Sequence, residues 1–86
     1  ASCMSISTAC ASSSNAVGEA YRCIKHGYAD AVIAGGADAA ITPFGIARLN
    51  DCNAMSRSDD PDRASIPFDA ERDGFVLGEG SGALVL

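Results

Sequence analysis

The chain has no tryptophan, and its aromatic residues stop at two tyrosines and three phenylalanines. Large aromatic side chains supply much of the apolar area in small cores, so a mini-domain resting on its own aromatic core is disfavoured. Basic residues are scarce: 6 Lys+Arg stand against 11 Asp+Glu, for a net charge of −5. Nucleic acid and anionic membrane surfaces are therefore poor partners. No apolar run approaches the roughly 20 residues of a membrane span. Cys3, Cys10, Cys23 and Cys52 form no CxxC pair, so neither a zinc ribbon nor a thioredoxin motif has support. Asn15, Asn50 and Asn53 lack a following Ser/Thr at the second position, and secretion gains nothing there. The four thiols read as free cysteines in a reducing compartment.

What is present is 86 residues at 48% hydrophobic content, ordered in composition and sufficient for one small domain at most. The apolar residues are mainly Ala, Val, Ile and Leu, which suits the interior of a larger close-packed protein. The first residue is not methionine, and the last residues, GALVL, read as mid-strand. The chain is expected to be a portion of a larger protein, truncated at both ends.

Periodicity divides the chain. Residues 3–8 alternate and read as a strand. Ala16, Ala20 and Ile24 recur every fourth residue, with Val17 and Tyr21 beside them, predicting a helix over 11–26. Lys25, His26 and Gly27 form its stop signal, and its Ser and Ala content predicts burial. Residues 30–37, DAVIAGGA, read as a buried strand, so strand, helix and strand suggest a parallel βαβ unit. Thr42-Pro43 reads as the N-cap and first position of a second helix reaching about Ala54. Residues 56–74 form a long polar connection, which such chains keep for function or wrap against their body. Residues 75–86 read as a strand with a glycine-rich bulge, then a further strand or its continuation.

Cys10 sits at the seam between the first strand and the first helix, among Ala9, Ala11 and Ser12. A thiol is nucleophilic as the thiolate, and a helix N-terminus favours that anion. The free N–H groups there can also hold an oxyanion, and a strand-to-helix turn exposes a nucleophile. A buried structural cysteine is the other reading, and local composition leans that way. Cys3, Cys23 and Cys52 read as structural. His26, the only histidine, lies at the far end of the helix, about 24 Å from Cys10 at 1.5 Å per residue. It reads as a solvated helix-end residue and cannot be the partner base. GEGSG at 78–82 departs from the GxGxxG dinucleotide motif and leads into a strand, so it reads as a bulge or close backbone approach. Residues 69–79 mimic a calcium loop, but the closing acid falls one position early, at Glu79. Asp69, Arg72 and Asp73 read as an ion-pair and turn network pinning the long connection.

SISTACASS resembles the active-site segment of the β-ketoacyl-acyl carrier protein synthases. ADAVIAGGADAAITPFGI and DDPDRASIPFDAERDGFVLGEGSGALVL resemble the next two blocks of that family, in order and without gaps. The elongating type II enzymes of bacterial and plastid fatty acid synthesis are most similar. The resemblance implies an α/β thiolase-like fold, of which these residues form the central part of the N-terminal half: strand, buried helix, strand, helix, long loop, strands. It implies that Cys10 accepts the acyl group as a thioester and that its backbone N–H is an oxyanion donor. Malonyl-carrier then loses CO₂ and attacks that thioester. It implies no bound cofactor, with substrates carried on the phosphopantetheine of acyl carrier protein, and a homodimer. It places Gly45, Ile46 and Leu49 near the acyl-chain pocket, and the two histidines and the lysine of the family beyond Leu86. The expected location is the bacterial cytoplasm, or a plastid or mitochondrion. Ketosynthase domains of polyketide synthases and non-catalytic ketosynthase-like partner subunits are the alternatives; the latter typically lack the cysteine. The family pattern differs at Ala1-Ser2, where Gly-Pro is usual, at Arg48-Leu49, where Gly-Phe is usual, and at Phe68, where Trp is commoner. On this reading the isolated 86 residues are inactive and poorly soluble.

Overall fold

A computed structural model describes residues 2–86; Ala1, half of the Ala1-Ser2 departure, lies outside the described residues. The chain divides into two compact units. The residues through Asp38 join Gly80–Leu86 in the first, and Ala39–Glu79 form the second.

In the first unit, helix α1 spans Ser12–Lys25, where the four-residue spacing of Ala16, Ala20 and Ile24 predicts it. Its C-terminus closes on Gly27, at φ 74°. The Gly27 N–H donates to the Ile24 carbonyl at 2.9 Å and the Tyr28 N–H to the Cys23 carbonyl at 2.9 Å. This paired closure satisfies carbonyls that the last turn would leave open. Arg22 and Lys25 stand in that turn, where cations suit the negative helix end. Arg22 also pairs with Glu19 one turn back; hydrogen bonding to Glu19, then its charge, raises the Arg22 pKa above its usual value.

Strand β1 (Ile33–Asp38) pairs with strand β2 (Gly80–Val85) in an antiparallel ladder running from Ile33↔Val85 to Asp38↔Gly80. Val32 and Leu86 extend it with two reciprocal bonds of 3.0 Å. α1 packs on β1. Among the described residues, the buried ones are Ala20 on α1 and Ala34 on β1, so the core of this unit is built from alanines of the helix and the strand. Gly36 permits it: a Cβ there would lie 2.0 Å from Ser13 Oγ and 3.1 Å from Ser13 Cβ.

Several expectations are corrected here. Residues 3–8 form no strand, because alternation makes a segment able to pair but a strand also needs a neighbour's backbone. The parallel βαβ unit is replaced by the antiparallel β1–β2 pair; β1 takes its partner from 42 residues further along the chain, which sequence order alone does not reveal. The ladder is unbroken across Gly80 and Gly82, so GEGSG holds no bulge, and residues 75–79 precede the strand. α1 is half-covered, with Ala20 its one buried residue, since a two-stranded sheet shields one helix face.

In the second unit, helix α2 spans Pro43–Asp51, ending three residues before the expected Ala54. Asn53, at φ 53°, stops it: its N–H donates to the Asn50 carbonyl at 2.9 Å, and the Ala54 N–H to the Leu49 carbonyl at 3.0 Å. Asparagine tolerates this left-handed position better than most residues. Met55 and Phe75 then run side by side, with Phe75 N donating to the Ala54 carbonyl at 3.1 Å and Ser56 N to the Phe75 carbonyl at 2.9 Å. The long connection between them contains a short 3-10 turn at Pro61–Arg63, capped by Asp60. The pinning network is centred on Arg63, not on Asp73. Arg63 reaches Glu71 at 2.9 Å and Asp69 at 3.6 Å, while Arg72 donates to the Asp69 backbone carbonyl at 2.8 Å. These pairs are solvent-exposed and each contributes well under about 1 kcal/mol.

Large apolar side chains such as Phe44, Tyr28 and Phe68 stand exposed. The chain has little core of its own. In the full-length parent, Gly36→Val is expected to lower stability by about 1–3 kcal/mol through overpacking against Ser13, read as a fall in the unfolding midpoint; an unchanged midpoint would show that α1 does not depend on this approach.

Candidate functional site

Cys10 lies on the turn that leads into α1, two residues before Ser12, and is exposed. The buried alternative is thereby corrected: small neighbours leave the thiol open instead of covering it. No side chain caps α1 at Ala11. The turn is held from below. The Ala11 N–H donates to the Thr8 carbonyl at 3.2 Å, and the Ser12 N–H to the Ala9 carbonyl at 3.1 Å. The Ser12 hydroxyl accepts from the Thr8 N–H at 2.8 Å and donates to the Ala9 carbonyl at 2.7 Å. Asn15 Nδ2 donates to Thr8 Oγ1 at 2.8 Å. Among the described residues, no hydrogen bond engages the Cys10 N–H.

Ala9 adopts φ 53°. That left-handed backbone costs an L-residue about 1–2 kcal/mol, and alanine, with the smallest side chain after glycine, keeps the cost low. Two hydrogen bonds to the Ser12 hydroxyl contribute about 1 kcal/mol each, enough to offset it. The consequence is a sharp reversal directly before the cysteine, with the thiol carried outward.

The thiol opens onto a cleft of about 520 Å³. Ala9, Cys10, Ser12 and Ser13 form one wall; Gly36, Ala37 and Asp38 of β1 and Gly80, Ser81 and Gly82 of β2 form the other. A second cleft of about 410 Å³ shares Ser12, Ser13, Gly36 and Ala37 and extends along Met4, Ser5 and Ile6. Small side chains wall the cleft at Cys10, so a slender substrate can approach the sulfur there.

The other sequence candidates belong to α2. Gly45, Ile46 and Leu49 share one face of that helix and are half-buried. Gly45 is dictated by local geometry: its N–H donates to Thr42 Oγ1 at 3.0 Å, and a Cβ would sit 2.2 Å from the Ala40 carbonyl oxygen. Arg48, the unexpected charge, points away from that face and is exposed. His26 caps the C-terminal end of α1 and is exposed, as expected, with its ring edge-on to Tyr28 at 6.0 Å. The four cysteines are free; Cys23 is half-covered, while Cys3 and Cys52 are exposed. Among the described residues no three His, Cys, Asp or Glu side chains gather as a metal-ligand set. Among the described residues no helix is long and apolar enough to cross a membrane.

Sequence reasoning assigned room to the small residues around Cys10 and missed Thr8, Ser12 and Asn15 as the groups that fix the turn. Their spacing of four and then three is the signal, since it sets their side chains on one side of the helix start.

Comparison with known proteins places this geometry. The model of the β-ketoacyl synthase N-terminal domain matches residues 1–86, and the chain belongs to the β-ketoacyl synthase family. It is 58% identical over 80 residues to the 3-oxoacyl-[acyl-carrier-protein] synthase 2 of Synechocystis sp., covering 92% of this chain and 19% of that protein. It is 53% identical over 83 residues to the chloroplastic 3-oxoacyl-[acyl-carrier-protein] synthase I of Arabidopsis thaliana, covering 95% and 18%. The crystal structure of a β-ketoacyl synthase from Burkholderia phymatum STM815 superposes with a TM-score of 0.82 at 44% identity, over 92% of this chain and 19% of that one. The fold is thus the expected α/β, thiolase-like one, and the chain spans about a fifth of the length of these relatives.

Ser12→Ala in the full-length parent is expected to lower stability by about 1–2 kcal/mol, and Ala9→Gly in the same protein to recover about 1 kcal/mol. Thermal unfolding of the single and double variants checks both; additivity without recovery would show that Ser12 does not act by holding Ala9.

Proposed function

We propose that this chain is the nucleophile-bearing segment of a 3-oxoacyl-[acyl-carrier-protein] synthase acting in fatty acid elongation. The observation that carries the reading is the turn at Ala9–Ser12. It presents an exposed thiol at the head of α1, in the segment matched by the family model. The names of the relatives support acyl carrier protein as the source of the acyl group.

The proposed chemistry uses the geometry directly. Cys10 Sγ attacks the carbonyl carbon of an acyl thioester on the carrier's phosphopantetheine. A new S–C bond forms, the carrier sulfur leaves, and the cysteine proton ends on that sulfur. During attack the carbonyl oxygen gains negative charge, and the unengaged Cys10 N–H is one donor to it. Malonyl-carrier then loses CO₂; its carbanion attacks the acyl carbon and expels the Cys10 sulfur, giving a 3-ketoacyl thioester. His26 caps the opposite end of α1, so the acid–base groups of this mechanism come from the rest of the parent protein. Gly45, Ile46 and Leu49 are proposed to line the acyl-chain pocket, with the parent working as a homodimer. Relatives that include chloroplastic and mitochondrial enzymes support a plastid, mitochondrial or bacterial cytoplasmic setting.

The polyketide reading keeps the same cysteine chemistry and differs in product; the non-catalytic reading is opposed by the presence and exposure of Cys10. In the full-length protein, Cys10→Ser is expected to cut condensation by more than about 10³-fold, while Cys10→Gln abolishes acyl transfer and leaves malonyl decarboxylation measurable. Condensation at the wild-type rate in either variant would sink the proposal.

A further inference from the structure

We infer that Glu79, the acid inside GEGSG, is a positioning residue for the acyl-binding face of α2. The inference rests on the proposal that Gly45, Ile46 and Leu49 line the acyl-chain pocket.

Glu79 Oε1 accepts the Ile41 N–H at 3.0 Å, a bond that spans 38 residues of sequence. Every other side-chain hydrogen bond among the described residues joins positions eight or fewer apart. Glu79 is thus the one side chain that ties the end of the second unit to its beginning, and it does so at the entrance to α2. Ile41 directly precedes Thr42, the N-cap. The lead-in is tightly drawn: the Thr42 N–H donates back to the Ala40 carbonyl at 2.8 Å, and that same carbonyl oxygen lies 2.2 Å from where a Gly45 Cβ would be. The Ile41 N–H lies in the middle of this bend and has Glu79 as its acceptor. A carboxylate beside the first turn of a helix also complements the positive helix end.

Displacing Ile41 moves the Ala40 carbonyl against Gly45, and Gly45 lies on the same helix face as Ile46 and Leu49. The glutamate's effect therefore reaches the acyl chain through the pitch of α2 and makes no contact with the reacting atoms. A pocket wall acts along the length of a chain, so a tilted α2 penalises a long acyl group more than a short one. This gives the acid in GEGSG a role that neither a phosphate loop nor a bulge provides.

The test uses the full-length protein and acyl carrier loaded with a short or a long saturated chain, with kcat and KM for Cys10 acylation measured for each. Glu79→Ala is expected to lower the long-to-short ratio of kcat/KM roughly fivefold, the worth of one lost hydrogen bond, with the loss in KM for the long chain. Glu79→Gln, which keeps an acceptor oxygen at the same reach, holds the ratio within about twofold, and Glu79→Asp, one methylene shorter, behaves like Ala. If Glu79→Ala does not fold, the Gln and Asp variants decide the matter on their own. A ratio unchanged in Glu79→Ala, an equal loss for both chains, or a Gln variant no better than Asp would overturn the inference. Ile46→Phe is the control on the pocket itself. If it shifts the ratio and the Glu79 variants do not, the inference alone fails; if it leaves the ratio at wild type, the pocket assignment fails and takes the inference with it.

Discussion

One hydroxyl holds the chemistry of this chain in place. Ser12 Oγ accepts a backbone N–H from one side of the turn and gives its proton to a carbonyl on the other. A hydroxyl can do both at once, where an ammonium group only donates and a carboxylate only accepts. The bonds close Thr8 and Ala9 over the start of α1 and sustain a left-handed alanine that would otherwise relax. Cys10 is the next residue, and its exposure follows from that reversal. Every later element of the proposed mechanism presupposes a sulfur that faces the cleft.

The surroundings of that turn are made of small residues for a related reason. Ser13 of α1 lies directly against Gly36, and among the described residues the buried side chains are two alanines, Ala20 and Ala34. Close approach of helix and strand leaves narrow, shallow clefts beside the thiol. The cost is a weak core. Burying an alanine contributes far less than burying a leucine or phenylalanine, and here phenylalanines stand in solvent instead.

Much of this was legible in the sequence, but unevenly. The two helices were, because their signals are local: four-residue spacing in α1, Thr42-Pro43 at the start of α2, Gly27 beyond the end of α1. The sheet was not. β1 and β2 pair across a separation that no local pattern records, and the alternation at residues 3–8 promised a strand whose neighbour the pattern could not supply. At the site, Cys10 was singled out by resemblance, since composition around it leans toward a buried thiol. Thr8, Ser12 and Asn15 were passed over because serines beside alanines suggest space before they suggest hydrogen bonds. Glu79 was weighed as a failed calcium ligand, and its partner, a backbone N–H, has no signature in sequence at all.

The central claim is that Cys10, and no other thiol in the chain, is the acyl acceptor. Its most direct test is to mix the full-length protein with acyl-loaded carrier in the absence of malonyl-carrier, digest the product, and locate the added mass. The account predicts one acyl group per active site, on the peptide containing Cys10, with Cys3, Cys23 and Cys52 unmodified. Acylation shared among the cysteines, or an unmodified Cys10 in a protein that still condenses, would contradict it.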